Sequence, residues 1–258
     1  MTQDRLSEFT LFLEANLANS TILGSTGFNL DFPEFDLMPF DYLDFAESEL
    51  AIDTTAAKIN CVMHLKRAIE CEIDTFIYTF NISLSRNNLP NKLDFASKSG
   101  LFSPRSITKL NKTRNKLEHE YSIPDHLELE NYFDIATGFV HAIEGCIFML
   151  AQHRDMEWGH ISDETFNTTW GGEFSKENQQ ISFWWANDGN KYELTFSNSN
   201  SPDDFSLGLG IYILLCRATT LLSAEFVLEK MRKLINTARD NSTHQRRELL
   251  GLVDQLPK

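Results

Sequence analysis

The spacing of apolar residues predicts helices over most of the first 153 residues. A short helical pattern near the N terminus is formed by Leu6, Phe9, Phe12 and Leu13. From residue 48 to residue 80, apolar positions recur every three or four residues, which predicts one long amphipathic helix. Charged residues, Glu70 and Glu72 among them, fill its other faces. The stretch SRNNLPNKL predicts the end of this helix, with Pro90 as the breaker.

Two further helices follow. Ser103 and Pro104 predict an N-cap and a first helical residue, and Pro124 predicts that this helix ends before it. Apolar residues at helical spacing predict a third long helix over 127–152.

The pattern changes near Arg154. All four tryptophans lie between residues 158 and 185, and ISFWWA and KYELTF flank Asn187–Asn190, which predicts an antiparallel hairpin. Ser201 and Pro202 predict the start of a long helix through about residue 239, and RRELLGLVDQL predicts a final short one. The longest apolar run, 205–222, is short and contains Arg217, so it predicts a buried helix and not a membrane span.

These patterns predict a mainly α protein, in which a helical bundle is followed by a small α+β part with an antiparallel hairpin. The predicted organisation is an acidic-aromatic N-terminal extension (1–46), an all-helical domain (47–153) and an accessory domain with a small sheet and helices (154–258). The tryptophans predict a sheet core, with a base-stacking platform as the alternative.

Composition fits a globular chain of 258 residues with 42% hydrophobic residues. The cysteines are far apart and form no CxxC, so they predict buried thiols and a reducing cytoplasm: Cys61, Cys71, Cys146 and Cys216. The N terminus does not resemble a signal peptide. The net charge of -14 argues against a general nucleic-acid binder.

The charge is unevenly distributed. Residues 1–57 contain eleven acidic residues and one basic residue, whereas residues 98–116 contain six basic residues and no acidic one. The basic segment can concentrate an anionic ligand at one place, or it can be a solvated helix face. The acidic-aromatic stretch FNLDFPEFDLMPFDYLDF (28–45) is expected to pack on its own chain, with docking of a partner chain as the alternative.

Arg114 interrupts the apolar face of the helix that follows Pro104. At about 100° per residue, Ile107, Leu110, Leu117 and Tyr121 fall within about 60° of Arg114. An unpaired guanidinium on such a face costs several kcal/mol, so Arg114 must be paired, reach water or bind an anion. One interpretation is a salt bridge to Glu118 or Glu70. The other is a site in which Arg114 acts together with Asn115 and His119 on the neighbouring flank.

The sequence RNKLEH, residues 114–119, resembles the RxxxxH motif of HEPN domains, in which a polar residue, often Asn, follows the arginine. Residues 48–153 also resemble these domains in the order of their predicted helices, over roughly the first 60% of the chain. The continuation to Tyr121 resembles the RxxxxHxY variant of HEPN toxins that are paired with nucleotidyltransferase antitoxins. The N-terminal acidic segment and the tryptophan-rich C-terminal part depart from a minimal HEPN toxin.

The resemblance implies a metal-independent endoribonuclease that needs no cofactor. Arg114, Asn115 and His119 would be its catalytic residues, and Tyr121 a candidate site of modification by AMP. The basic segment suggests RNA contacts by Arg105, Lys109, Lys112 and Lys116. An imidazole with an ordinary pKa near ~6.5 suits acid–base chemistry at neutral pH. The resemblance further implies a cytoplasmic homodimer, a toxin or defence role against viruses, and an antitoxin or regulatory protein as partner.

Two other functions remain open. One is a catalytically silent HEPN-like module that binds a partner protein or nucleotide, and the other is a helical scaffold with Arg114 in a salt bridge. HxxxH, HExxH and GxSxG are absent from the sequence, which argues against a metal site and a serine hydrolase.

Overall fold

The computed structural model describes residues 2–160, 169–187, 189–218 and 220–253. Within these ranges, the side chains of residues 2–3, 107, 110–111, 113–114, 117–119 and 241–253 are outside the description. The helices are α1 (Thr2–Asn16), α2 (Pro39–Leu50), α3 (Thr55–Thr79), α4 (Leu89–Lys98), α5 (Pro104–His119), α6 (His126–Ala151), α7 (Pro202–Cys216) and α8 (Ala224–Val253). The strands are β1 (Ser20–Thr26), β2 (Asp155–His160), β3 (Trp170–Ser175), β4 (Gln180–Asn187) and β5 (Asn190–Ser197).

The chain forms two compact units. Residues 27–152 form a helical unit, and residues 1–26 together with 153–258 form a sheet unit. The division therefore differs from the sequence-based one, in which residues 1–46 are an extension. Residues 1–26 belong to the sheet unit because β1 pairs along β2, with Ser20 opposite His160 and Thr26 opposite Asp155.

The sheet is an antiparallel meander in the order β1-β2-β3-β4-β5. The predicted hairpin is confirmed, with Asn187 opposite Asn190. One face is buried: Phe9 of α1 stacks on Phe183 at 4.9 Å between ring centroids, and Tyr212 of α7 lies 6.1 Å from the same ring. The predicted N-terminal helix is also confirmed as α1, and its four predicted apolar residues are buried.

Three of the four tryptophans form core, as predicted. Trp158, Trp170 and Trp185 are buried, and the rings of Trp158 and Trp170 stack at 4.1 Å. Trp184 lies on the other face of the sheet, 37% exposed, directly over Gly171, where a Cβ would collide with the indole.

Two predicted long helices are each divided in the structure. The helix predicted over 48–80 spans the last residues of α2 and all of α3, because Thr54 caps a new helix by accepting a hydrogen bond from the amide of Ala57. The helix predicted from Ser201 to residue 239 is α7 and α8. Leu222 donates its amide to the carbonyl of Arg217 at 2.9 Å, which closes a turn between them. The predicted final helix over 246–256 is the end of α8 as far as Val253, and residues 254–256 lie outside the described residues.

Helix α4 was missed because Pro90 was interpreted as a breaker. Pro90 lies in the first turn of α4, where a missing amide hydrogen costs no hydrogen bond. Asn88 caps this helix by accepting from the amide of Asn91 at 3.0 Å. Its buried Lys92 pairs with Asp74 at 2.7 Å and lies 3.6 Å from Glu70, both on α3.

Helix α6 is, among the described residues, the one helix long and apolar enough to cross a membrane. Core helices of bundles satisfy the same criterion. In the helical unit α6 buries Leu129, Tyr132, Phe139 and Ile143.

The cysteines are free thiols, and Cys61, Cys146 and Cys216 are buried as predicted. Cys71 is half-buried and donates its thiol hydrogen to the carbonyl of Leu37. Burial raises the pKa of both Cys61 and Cys71 to about 11, so these thiols stay protonated at neutral pH.

Glu72 of α3 is buried, contrary to its predicted place on a polar face, with 4% of its surface exposed. Burial, and then the charge of Glu144, raises the pKa of Glu72 from 4.5 to about 7. Because the folded state then binds this proton more tightly than the unfolded state, the contribution of Glu72 to stability is greatest below pH 4.5 and is lost as pH rises from 4.5 through 7.

Glu72→Gln is expected to raise the free energy of unfolding of the helical unit by about 2–3 kcal/mol near pH ~8 and to change it little near pH ~5. Urea unfolding followed by far-UV circular dichroism at both pH values measures this difference. Glu47→Gln, at an exposed position of α2, is the matched control. An equal effect of Glu72→Gln at both pH values would contradict the assignment.

Candidate functional site

The motif 114–119 occupies the last turns of α5. The start of α5 is fixed by the turn after α4, where Gly100 has a φ of 65° and Phe102 packs edge-on against Phe139 of α6 at 5.0 Å. A side chain at position 100 would be strained at this φ. Ser103 and Pro104 follow as the predicted N-cap and first helical residue, although the Ser103 side chain makes no capping hydrogen bond.

Helix α5 ends at His119. Tyr121, which was predicted to lie on the apolar face of this helix, therefore lies beyond its end. The amide of Glu120 donates to the carbonyls of Asn115 and Lys116, and the amide of Ser122 returns to Lys116 at 3.0 Å. Tyr121 has a φ of 53°, beyond the helix, and is 88% exposed. The predicted place of Tyr121 on the apolar face of α5 was wrong, because helical periodicity was extended past the hydrogen bonds that end the helix.

The next helix begins close by. Asp125 caps α6 by accepting from the amide of Glu128 at 2.8 Å. Lys116 forms an ion pair with Glu128, which joins the end of α5 to the start of α6. The hydrogen bond between these side chains raises the pKa of Lys116 and lowers that of Glu128.

The four cations predicted to bind RNA share one side of α5. At about 100° per residue, Arg105, Lys109, Lys112 and Lys116 fall within a sector of about 60°. Arg105, Lys109 and Lys112 are exposed, whereas Lys116 is half-buried beside Glu128. Three exposed cations therefore lie along this side of α5, and Lys116 beside them is paired with Glu128.

The three predicted catalytic residues all lie in α5, but the structure describes only one of their side chains. Asn115 is half-buried. The side chains of Arg114 and His119 lie outside the described ones, as does Glu118, the first suggested partner of Arg114. Glu70, the other suggested partner, lies 3.6 Å from the ammonium group of Lys92.

Three other histidines of the helical unit lie outside the motif, beside aromatic rings or a glutamate. His141 faces Phe40 at 5.2 Å, and His64 faces Phe45 at 5.4 Å. His126 lies 3.4 Å from Glu130. Over the described parts of the chain, His, Cys, Asp and Glu side chains form no group of three or more that could hold a metal ion.

Sequence reasoning missed the ion pair of Lys116 with Glu128, because it depends on how α5 and α6 meet. The pairing has one local signal, the Asp125–Glu128 capping box, which places Glu128 in the first turn of α6. No family model, curated protein or solved structure matches this chain.

Proposed function

We propose that the protein is a metal-independent endoribonuclease of the HEPN type, acting as a toxin or host-defence effector. The observation that carries the proposal is the position of the RNKLEH sequence in the last turns of α5, the helix with a row of cations along one side. Phosphate groups of RNA are attracted to such a row, and the attraction is independent of base sequence.

In the proposed reaction the 2′-OH of a ribose attacks the adjacent phosphorus. His119 accepts the proton of the 2′-OH as general base. Arg114 holds the scissile phosphate by a forked contact and stabilises the charge that develops on its oxygens. Asn115 orients the phosphate or the imidazole. The bond from phosphorus to the 5′-oxygen breaks, and the 5′-oxygen takes up a proton, leaving a 2′,3′-cyclic phosphate and a 5′-hydroxyl.

One imidazole is poorly suited to serve as both base and acid in one turnover. We therefore propose a homodimer in which two motifs face one cleft, so that the second His119 protonates the leaving oxygen. The two α5 cation rows would then border one groove. The protein would act in the cytoplasm without a cofactor.

The exposure of Tyr121 supports the proposal that a partner modifies it. A hydroxyl two residues from His119 and 88% exposed is accessible to an enzyme that transfers AMP. Such a modification would add negative charge beside the cations of α5 and repel RNA.

A catalytically silent module that binds a partner protein or nucleotide is the second candidate function. It is favoured by the exposed aromatic side chains of residues 32–45, which lie among acidic residues in the helical unit.

The proposal is tested by incubating the purified protein with total RNA and with tRNA in EDTA. Cleavage is expected without any divalent metal ion, because the attacking group belongs to the RNA and the charge is stabilised by Arg114. Cleavage that needs added Mg²⁺ would contradict the mechanism. Intact RNA in every condition, from a folded dimer, would favour the silent module.

A further inference from the structure

The segment 28–38, here called the strap, is held at both ends within the helical unit. At its start, Phe28 donates its amide to the carbonyl of Ala151 at 2.9 Å, and its ring packs edge-on against Phe80. At its end, Met38 donates its amide to the carboxylate of Asp41 at 2.7 Å. Both ends of the strap therefore pack on their own chain, as the sequence predicts for this stretch.

The middle of the strap presents apolar side chains to solvent. Phe32 is 53% exposed and Tyr78 of α3 is 58% exposed, and Phe35 is exposed beside them. Residues 30–35 and Tyr78 line a groove of about 640 Å³. Leu37 and Met38 at the end of the strap are also exposed, as are Phe40 and Phe45 on α2. Exposed apolar side chains gathered around a groove are typical of an interaction site.

Acidic residues surround these side chains. Residues 31–49 contain seven acidic residues and no Lys or Arg. Asp41 is engaged by the amide of Met38, and Glu49 accepts a hydrogen bond from Asn60. Among the described contacts, the other five form no ion pair or hydrogen bond through their side chains: Asp31, Glu34, Asp36, Asp44 and Glu47. Within a Debye length of about 8–10 Å, their charges act together on a cation.

The acidic charge and the apolar side chains of this surface together indicate which class of molecule binds in the groove. RNA and anionic membranes are repelled by the acidic residues. A polypeptide that carries Lys or Arg around apolar anchors satisfies both features, because its anchors fill the groove while its cations meet the unpaired carboxylates.

The described basic surface of α8 is a poorer candidate for the occupant of the groove than a segment of a partner protein. The four described cations of α8 already have partners: Arg232 pairs with Glu14 at 2.8 Å, Lys233 pairs with Glu229 at 2.6 Å, Lys230 lies 5.0 Å from the ring of Phe226, and Arg239 donates to the hydroxyl of Ser7 at 3.4 Å.

We propose that the strap and the adjoining exposed face of α2 bind a cationic amphipathic segment of a partner protein. The binding is independent of RNA cleavage.

The test uses the full chain and a fluorescein-labelled peptide of about 18 residues, with Leu at helical spacing and Lys elsewhere. Two further peptides serve as controls, one with Ser in place of every Leu and one with Glu in place of every Lys. Fluorescence anisotropy is expected to show salt-dependent binding of the Leu/Lys peptide, and binding at least about tenfold weaker for either control.

Two sets of substitutions locate the binding. Phe32→Ser with Phe35→Ser removes apolar anchors, and Asp31→Asn with Glu34→Gln and Asp36→Asn removes charge at nearly constant shape. Each set is expected to weaken Leu/Lys binding by about tenfold or more. The matched controls are Phe148→Ser, at a position 72% exposed on α6, and Glu173→Gln with Glu193→Gln on the exposed face of the sheet. They are expected to leave the Kd within about twofold.

Unchanged binding by both strap variants overturns the proposal, as does equal binding of the Ser/Lys peptide. If the strap variants instead convert a wild-type dimer to a monomer by sedimentation, the surface belongs to a second copy of the chain and the proposal is also overturned. RNA cleavage by the same variants is measured separately, so that loss of the nuclease does not imitate loss of peptide binding.

Discussion

Replacing His119 by alanine is expected to slow RNA cleavage by a factor of about 10²–10⁴, the usual contribution of a general acid or base. In the proposed dimer both the base and the acid are His119, so the loss is expected near the upper end of this range. The measurement is the initial rate of cleavage of a labelled tRNA in EDTA by wild type and variant.

Two histidines of the same unit provide matched controls. His126 and His141 are exposed and lie outside the motif, beside Glu130 and Glu144. His126→Ala and His141→Ala are expected to cleave within about twofold of wild type, because exposed side chains away from a site contribute little. Equal rates for His119→Ala and the two controls would show that any observed nuclease acts through other residues.

Replacing Trp170 by alanine is expected to lower the free energy of unfolding of the sheet unit by about 3–5 kcal/mol. Trp170 is fully buried, stacks on Trp158, contacts the rings of Phe9 and Phe12, and donates its indole hydrogen to Ser20 at 3.0 Å. The substitution leaves a cavity between α1 and the sheet and also leaves the Ser20 hydroxyl without this donor.

Urea unfolding followed by tryptophan fluorescence measures this loss, since the remaining tryptophans all belong to the sheet unit. Trp184→Ala is the matched control. Trp184 lies on the exposed face of the sheet, so its removal is expected to cost about 1–2 kcal/mol. A larger loss for Trp184→Ala than for Trp170→Ala would contradict the assignment of the buried face.

The start of α5 and the start of α6 could be predicted because local signals lie there, whereas the end of α5 was placed too late, beyond His119. Pro104 starts α5, Pro124 disfavours helix just before it, and Asp125 caps α6. The break between α2 and α3 could not be predicted in the same way, since apolar spacing continues across it. Pro90 marks both the end of one helix and the first turn of another, and local sequence does not separate these cases.

Strand β1 was beyond local reasoning because its pairing is distant along the chain. Thr26 lies opposite Asp155, and the sequence STILGST lacks the apolar alternation of a half-buried strand. The assignment of residues 1–26 to the sheet unit follows from this pairing and from the packing of α1 on the sheet.

The candidate site likewise has one part that could be predicted from the sequence and another that could not. The cation row of α5 could be predicted, because it depends only on helical periodicity within one element. The pairing of Lys116 with Glu128 and the burial of Glu72 depend on how helices meet, which the pattern of one helix does not determine.

The central claim, RNA cleavage by attack of the 2′-OH without metal, is tested most directly at a single mapped cleavage position. The wild-type protein is incubated in EDTA with an oligoribonucleotide that contains this position and with the same oligonucleotide carrying one 2′-deoxyribose there. The account predicts that the first is cut to a 2′,3′-cyclic phosphate and a 5′-hydroxyl and that the second stays intact at that position. Cleavage of the 2′-deoxy oligonucleotide at the same place, or products with 5′-phosphate ends, would contradict it.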